Sequence, residues 1–236
     1  MTDFIHLNRL LPKQTDLLIR FIPANPDLYV IGATAHKIKV QEARLHVAKV
    51  KLTIDLPKQM LYPARRFQGK VKIVNSGEQN LDWAVFSGKR PRRLYLLQVE
   101  QKTYNGHKTM NPFNLQTFDI GRIQVFFNDL SLPTNMGTTI APDDISRCYL
   151  NTIKAVNNAQ AWDISRSAYS LGYFIYVVDM TNDSSANSEY RSADKHGTVR
   201  LMIDYRKALT KAVALMCFAE YDDTLMIDEY GNPIWS

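Results

Sequence analysis

The chain is 236 residues long, with 45% hydrophobic residues, 22% charged residues and a formal net charge of +6. This length supports a sizeable core, and the composition is that of an ordinary globular protein, which excludes a disordered chain. No apolar run reaches the roughly 18 residues of a membrane span, and residues 1–10 lack the apolar centre of a secretory signal, so we expect no membrane partner.

The positive charge is unevenly distributed along the chain. Residues 1–110 carry 19 Lys and Arg against 8 Asp and Glu, whereas residues 111–236 carry 10 against 15. A basic half of this kind can face a polyanion. Basic side chains on the exposed faces of amphipathic strands explain most of the lysines equally well.

Short alternating runs in the first half of the chain predict strands with one buried face. Residues 16–22 (DLLIRFI) are the first candidate. Residues 36–54 alternate most clearly, with apolar side chains largely on one face and basic ones mostly on the other. The pattern breaks between the prolines at 57 and 63, then resumes over residues 69–74, 94–101 and 117–128.

One helix is predicted over residues 142–157, because Pro142 and two aspartates make a favourable first turn before apolar residues at helical spacing. Three runs rich in β-branched and aromatic residues predict the most buried strands: residues 172–180 (GYFIYVVDM), 198–205 (TVRLMIDY) and 212–221 (AVALMCFAEY). About ten short strands with one short helix in a loop predict an all-β fold, an antiparallel β-sandwich of the jelly-roll type.

The sequence contains no recognisable catalytic or cofactor motif. Its five histidines are scattered without ligand spacing: His6, His36, His46, His107 and His196. Its glycines are ungrouped, and it has no nucleophile elbow. We therefore expect no metal, no cofactor, no small-molecule substrate and no enzymatic activity. A cupin-like oxygenase on this scaffold requires converging histidines that the sequence does not offer.

Cysteines and acidic residues receive structural interpretations. Cys148 on the predicted helix and Cys217 in a strand predict packed thiols in a reducing compartment. An acidic cluster near the C-terminus lacks the spacing of a calcium loop, and we expect a solvated hairpin edge there. Its members are Glu220, Asp222, Asp223, Asp228 and Glu229.

The sharpest charge feature is the run Lys89, Arg90, Arg92 and Arg93, interrupted only by Pro91. Four cations in five residues can contact phosphates or serve as a nuclear import signal. No aromatic ladder or recognition helix accompanies them, so base-specific reading is not expected. Weak, non-specific contact with nucleic acid and an ordinary charged loop are the two interpretations.

Seven segments carry a further signal: residues 7–23, 39–52, 62–67 (YPARRF), 85–120, 162–183, 199–209 (VRLMIDYRKAL) and 212–234. In their order, spacing and joint presence they resemble the hexon-like major capsid proteins of Polinton (Maverick) elements and related adintoviruses. Proteins of that family are double jelly rolls that trimerise into the capsomers of an icosahedral shell. The resemblance implies a structural virion protein whose partners are its own copies, in a trimeric capsomer, and other capsid proteins. It also implies residence in the host nucleus or cytoplasm before assembly.

The segments resemble only the C-terminal half of such a protein. We therefore expect residues 1–35 to be the remnant or tail of a first jelly roll and residues 36–236 to be a viral-capsid-like jelly-roll domain. A fragment, a degraded copy, a host-domesticated remnant and a capsid protein split between genes all fit. The alternative function is a domesticated β-sandwich binding module that contacts nucleic acid or glycan non-specifically through its basic half.

Overall fold

The structure is a computed structural model, and it describes residues 10–11, 18–32, 38–53, 60–132, 137–141, 144–156, 163–188, 193–228, 230 and 232–235. Its strands are β1 (Met60–Val74), β2 (Asn80–Lys89), β3 (Arg93–Glu100), β4 (Ile120–Phe127), β5 (Leu130–Leu132), β6 (Thr138–Thr139), β7 (Ile175–Asp179), β8 (His196–Tyr205), β9 (Val213–Ile227) and β10 (Pro233–Trp235). Its helices are α1 (Pro26–Tyr29), α2 (Gln101–Tyr104), α3 (Ser146–Val156) and α4 (Arg166–Ser170).

The strands form two antiparallel sheets that pack face to face. The first sheet has the order β1-β9-β3-β7, and β10 also pairs with β9. The second sheet has the order β2-β8-β4-β5, and β6 also pairs with β4. The long strands alternate between the two sheets along the chain, which is the winding of a jelly roll. The predicted fold class is therefore confirmed.

The main core lies between the sheets. Side chains at alternate positions point into it, such as Leu94 and Leu96 from β3 and Leu201 and Ile203 from β8, and all four are at most 2% exposed. Burying each such side chain contributes about 1.5–3 kcal/mol relative to leaving it in water. The strand period of two thus explains why the apolar runs identified in the sequence fold here.

Both cysteines are free and buried, as the sequence predicts. Cys148 lies on α3 and Cys217 on β9, and neither is exposed. Burial raises the pKa of the Cys148 thiol to about 12 and also raises the pKa of Cys217. Both therefore remain neutral apolar groups of the core near neutral pH.

Two predicted strands in the first part of the chain are wrong. Residues 18–22 and residues 38–53 form no strand, although residues 16–17, 36–37 and 54 lie outside the described residues. Alternation of side chains is a local property, whereas a strand also requires a neighbouring strand to bond its backbone groups. Within the described residues, the backbone of residues 38–53 is bonded to no such neighbour.

Other element boundaries also differ from the prediction. β1 begins at Met60 and includes Pro63, because a proline is tolerated on the edge strand of a sheet. The predicted helix is confirmed over Ser146–Val156, while residues 142–143 and 157 lie outside the described residues. Three shorter helices, α1, α2 and α4, were not predicted, since segments of four or five residues carry too little periodicity.

Helix α3 covers the β7 edge of the first sheet. The Thr152 hydroxyl donates to the carbonyl oxygen of Ile175 at 3.2 Å and accepts from the backbone N–H of Val177 at 3.1 Å. Thr152 is fully buried. A helical side chain thus takes the place of the missing neighbouring strand, and this edge is closed to further pairing.

The turn before β7 depends on Gly172, and its replacement by alanine is expected to destabilise the protein by about 1–3 kcal/mol. Its φ of +111° is strained for any residue with a side chain, and a Cβ there would lie 2.6 Å from Asn114 Oδ1. Urea unfolding followed by circular dichroism measures the change. Gly32→Ala is the matched control, since a Cβ at Gly32 meets nothing within 4 Å. Equal effects of the two substitutions would contradict the prediction.

Candidate assembly surface

The first sheet carries a second apolar cluster on the face turned away from the core, which we call the outer face. Its side chains come from neighbouring strands: Ile73, Leu97, Val99, Ile175, Ala214 and Met216, with Leu115 beside them. They alternate along β3 and β9 with the residues that fill the main core. The first sheet is therefore apolar on both sides, which is unusual for a sheet with one face toward water.

The outer face is partly open to solvent. Val71 on β1 is 41% exposed and Phe218 on β9 is 37% exposed. Phe218 lies opposite Gly69 in the strand pairing, and its ring occupies the space that a Cβ at Gly69 would need, at 2.8 Å. An aromatic ring laid across a glycine in this way fills a gap in the sheet surface. Val99 and Ala214 are buried within the chain, so the part of the outer face that another protein can contact lies around Val71 and Phe218.

A buried ion pair borders the outer face. Arg93 and Glu220 are 4% and 1% exposed, and Arg93 Nη1 donates to both carboxylate oxygens at 2.8 and 2.9 Å. The Tyr95 hydroxyl donates to Glu220 Oε2 at 2.7 Å, and Arg65 Nη1 lies 3.2 Å from Oε1. Burial, and then the nearby Glu220 carboxylate, raise the pKa of Tyr95, so its hydroxyl remains a donor.

The same pair anchors the loop that follows β7. Arg93 Nη2 donates to the Ala186 carbonyl at 2.7 Å, and Arg93 Nε donates to the Ala155 carbonyl at the end of α3 at 2.8 Å. Arg92 binds both carboxylate oxygens of Asp222 at 2.8 and 2.6 Å, and it also donates to the Ala186 and Ser188 carbonyls. The loop and α3 thereby cover one end of the outer face.

The basic run is thus divided by the fold. Arg92 and Arg93 are buried in ion pairs, at 8% and 4% exposure, whereas Lys89 and Arg90 remain partly exposed. Lys89 Nζ lies 3.1 Å from Asp194 Oδ1 and donates to the Asp222 carbonyl at 3.0 Å. Nucleic-acid contact through these four residues stays a prediction, and only the first two have side chains near the surface.

The expected solvated setting of the acidic cluster is wrong for two of its members. Glu220 is held by Arg93, and Asp223, which is 3% exposed, lies 3.0 Å from Arg66 Nε. A charged residue inside an antiparallel strand can be buried when a cation on the neighbouring strand neutralises it, and single-strand patterns do not show that pairing. Asp228 instead closes the turn before β10 by accepting from the Asn232 backbone N–H at 2.8 Å. Glu229 lies outside the described residues.

These buried charges are closed to solvent. Glu220 is 1% exposed and is already bound by two arginines and a tyrosine, so a substrate cannot reach it in this conformation. Among the residues that the structure describes, no group of three His, Cys, Asp or Glu side chains is placed to hold a metal ion. In the same residues, no helix has the length and hydropathy needed to cross a membrane.

Two lysines lie over the open side of the sandwich, where the edge strands β1 and β2 face each other. Lys70 Nζ is 5.6 Å from the centre of the Phe86 ring, and Lys72 Nζ is 5.9 Å from the centre of the Trp83 ring. A cation at this distance from a ring face is weakly attracted to it, and the lysine stems cover the aromatic surface. The β7 edge is covered by helix α3, whereas the gap between β1 and β2 is covered by the side chains of Lys70 and Lys72.

A second apolar surface lies outside the sandwich, in residues 38–53. Its large apolar side chains are 36–77% exposed: Ile38, Val40, Leu45, Val47, Val50 and Leu52. Lysines, arginine and histidine alternate with them, so the segment has the pattern of an amphipathic strand without a partner among the described residues. Such a segment has both an apolar face and free backbone groups to offer to a neighbouring sheet.

The chain is similar to a worm protein and to chains in two solved structures. No family model matches the chain. The uncharacterized protein F54H12.2 of Caenorhabditis elegans is 23% identical over an alignment of 255 residues, which covers 98% of this chain and 60% of that protein. A chain in the 3.5 Å cryo-EM structure of the Sputnik virophage superposes with a TM-score of 0.51 and 15% identity, over 79% of this chain and 40% of that one. The mavirus major capsid protein gives a TM-score of 0.39 and 10% identity, over 77% of this chain and 42% of that one.

The virophage comparison shows a shared jelly-roll fold, and at this identity it shows the fold alone. The chain spans 60% of the worm protein and 40% of the virophage chain. The activities and partners of those longer proteins are therefore not properties of this chain without further evidence. The fold and the surface together define a jelly-roll sandwich whose first sheet has an apolar outer face that is partly exposed at Val71 and Phe218.

Proposed function

We propose that this chain is a structural protein of the viral capsid type, which works by associating with other jelly-roll sandwiches and catalyses no reaction. The observation that supports the proposal best is the partly open outer face of the first sheet, which includes Val71 and Phe218. Apolar surface of this kind is stabilised when a partner covers it, at about 25 cal/mol for each Å² removed from water.

The amphipathic segment at residues 38–53 supports the same proposal. A period-two pattern of apolar and basic side chains suits a segment that binds as an added strand at the edge of a sheet. It does not suit a helix that binds in a groove, because only a strand presents alternate side chains to opposite faces. Such a segment can pair with a neighbouring sandwich while the outer face packs against another surface. Two separate binding surfaces on one chain are what a shell of repeating subunits requires.

In its finer form, the proposal is that three copies form a capsomer in the virion of a Polinton- or adintovirus-like element. It includes the division of the chain into residues 1–35, the tail of a first jelly roll, and residues 36–236, the second. The resemblance in sequence supports this form. The virophage fold and the lengths of the two similar proteins are consistent with it.

Light scattering coupled to size-exclusion chromatography tests the proposal on the purified full chain. We expect the average mass to rise with concentration from that of one 27.1 kDa chain toward a defined multiple, with three copies as the expected end point. A specific oligomer reaches a constant mass as the concentration rises, whereas the mass of an aggregate continues to increase. A constant monomer mass at every concentration, including millimolar protein, would overturn the proposal.

A second candidate function is non-specific binding of nucleic acid through the basic half. The favouring observation is that several cations of the basic half reach solvent. Lys70 on β1 is exposed, and Lys72 on β1, Lys89 at the end of β2 and Arg90 after it are partly exposed. Duplex DNA binding measured by fluorescence anisotropy against salt concentration tests it. A steep negative dependence of log affinity on log salt supports phosphate contacts, and no binding at low salt excludes them.

A further inference from the structure

A small cavity lies at the end of the second sheet where β2 ends and β8 begins. Its volume is about 80 Å³. Four cations and two carboxylates line it, namely Lys89, Arg90, Arg92, Lys195, Asp194 and Asp222. The Arg90 backbone N–H donates to the Lys195 carbonyl at 2.7 Å, so the strand pairing fixes the spacing of two of these cations. The cavity shares the Arg92–Asp222 pair with the network at the end of the outer face but includes none of the apolar side chains of that face.

Both carboxylates of the cavity are already paired. Asp222 accepts two hydrogen bonds from Arg92, at 2.8 and 2.6 Å, and Asp194 lies 3.1 Å from Lys89 Nζ. Among the described residues, Asp194 and Asp222 are the two carboxylates of the cavity lining. Among the described residues, Arg90 and Lys195 are therefore the two cations of the lining that are not paired with one of its carboxylates, although Asp179 and Asp183 lie near Arg90.

The Arg90 guanidinium is only partly satisfied. Its Nη1 donates to Asn182 Oδ1 at 2.6 Å, and its Cζ lies 5.3 Å from the centre of the Phe127 ring. Its Nε and Nη2 are shielded from solvent and have no hydrogen-bond partner among the described residues. An arginine keeps its charge in a protein, so shielding these donors from water without an acceptor is costly. Desolvation accordingly lowers the pKa of Arg90, although Asp179 and Asp183 act in the opposite direction.

We propose that this cavity binds one phosphate-type oxyanion between Arg90 and Lys195. A guanidinium offers two parallel N–H donors that match the oxygens of a phosphate, and the ammonium of Lys195 supplies a second charge. The cavity volume of about 80 Å³ is more than the roughly 10–15 Å³ that one water needs by the same measure, so there is room for a small tetrahedral oxyanion. A bound oxyanion supplies acceptors for the shielded donors of Arg90, which lines the cavity.

The ligand can be a free phosphate ion or one phosphate of a nucleic-acid backbone at the mouth of the cavity. The second source would deepen the nucleic-acid function proposed above, but the site does not depend on it or on self-association. Arg92 and Arg93 have no part in the site as ligands, because their guanidinium groups are bound by Asp222 and Glu220.

Isothermal titration of the full chain with inorganic phosphate, against sodium chloride of matched ionic strength, tests the proposal. We expect saturable binding of one phosphate per chain, weakened about tenfold or more by Arg90→Gln and by Lys195→Gln. Lys102→Gln, which removes an exposed cation beyond the far end of β3, is the matched control and should bind as the unaltered chain does. Absence of saturable binding, or equal binding by Arg90→Gln and Lys102→Gln, would overturn the proposal.

Thermal unfolding separates a binding role of Arg90 from a structural one. In phosphate-free buffer, Arg90→Gln should unfold at or above the temperature of the unaltered chain, because it removes a poorly compensated charge. Added phosphate should raise the unfolding temperature of the unaltered chain and leave that of Arg90→Gln unchanged. If Arg90 only held the fold together, Arg90→Gln would be destabilised equally in both buffers, and the proposal would fail.

Competition then identifies the source of the phosphate. A single-stranded oligodeoxynucleotide that displaces inorganic phosphate in the same titration indicates a backbone phosphate as the ligand. An oligonucleotide that leaves phosphate binding unchanged assigns the cavity to a free oxyanion. Arg90→Lys, which retains the charge but not the planar pair of donors, should show weakened phosphate binding in either case.

Discussion

Replacing Glu220 with alanine is expected to lower the free energy of unfolding by about 3–5 kcal/mol. The substitution leaves the Arg93 guanidinium, which is 4% exposed, without its carboxylate, and it removes the acceptor of the Tyr95 hydroxyl. Leaving a buried charge without its partner costs far more free energy than the intact pair contributes, because the charge has been removed from water and no opposite charge compensates it. Urea denaturation followed by circular dichroism and tryptophan fluorescence measures the loss.

Two companion variants make this result interpretable. Asp82→Ala removes an ion pair with Arg200 whose side chains are about half exposed, and we expect a far smaller loss because water replaces the partner. The double variant Glu220→Met with Arg93→Met removes both buried charges and should recover part of the stability lost by Glu220→Ala. Equal losses for Glu220→Ala and Asp82→Ala would show that the buried pair has no special role.

Introducing aspartate at both Val71 and Phe218 is expected to weaken self-association by about 100-fold or more. Both side chains are partly exposed on the outer face, so the single chain tolerates a charge there. In an assembled interface the same carboxylates would be taken out of water without a cation to neutralise them. Sedimentation equilibrium over a range of concentrations gives the association constants of the unaltered and altered chains.

Leu130→Asp is the matched control for that experiment. The exposed fraction of Leu130 is 46%, which is similar to that of Val71 and Phe218. Leu130 lies on β5 of the second sheet, however, and not on the outer face of the first. We expect its association constant to equal that of the unaltered chain. An equal effect of Leu130→Asp, or unchanged association of the double variant, would place the contact surface elsewhere. Unfolding curves for all three proteins establish that the comparison concerns folded chains.

Strands in the second half of the chain could be predicted because their local pattern and their pairing agree. Residues 198–205 lie within β8, and residues 213–221 lie within β9, which is bonded on both sides by β1 and β3. Central strands bury both faces and are rich in β-branched and aromatic residues, so their composition alone is informative. The pattern at residues 38–53 was equally clear, yet a strand also depends on a partner that no local pattern specifies.

The border of the candidate surface could not be predicted for a related reason. Arg93 and Glu220 are opposite each other in the register of β3 and β9 but are separated by 127 positions in the sequence. Read singly, a run of arginines and a run of carboxylates each indicate solvent-exposed charge. One signal was available in the sequence. Both runs lie inside apolar strand patterns or at their ends, and a charge buried there needs a partner of opposite charge.

The two lysines over the Phe86 and Trp83 rings influence how copies can accumulate. Among the described strands, β1 is a 15-residue strand at the margin of its sheet, and it has the length needed to pair with the equivalent strand of another copy. Addition of strand to strand has no natural end point and leads to fibres, whereas closed symmetry produces particles of fixed size. If β1 of one copy paired with β1 of the next, Lys70 and Lys72 of both copies would lie close together, and the repulsion of their charges would oppose further addition. The cations on this margin therefore favour finite particles over open-ended polymers.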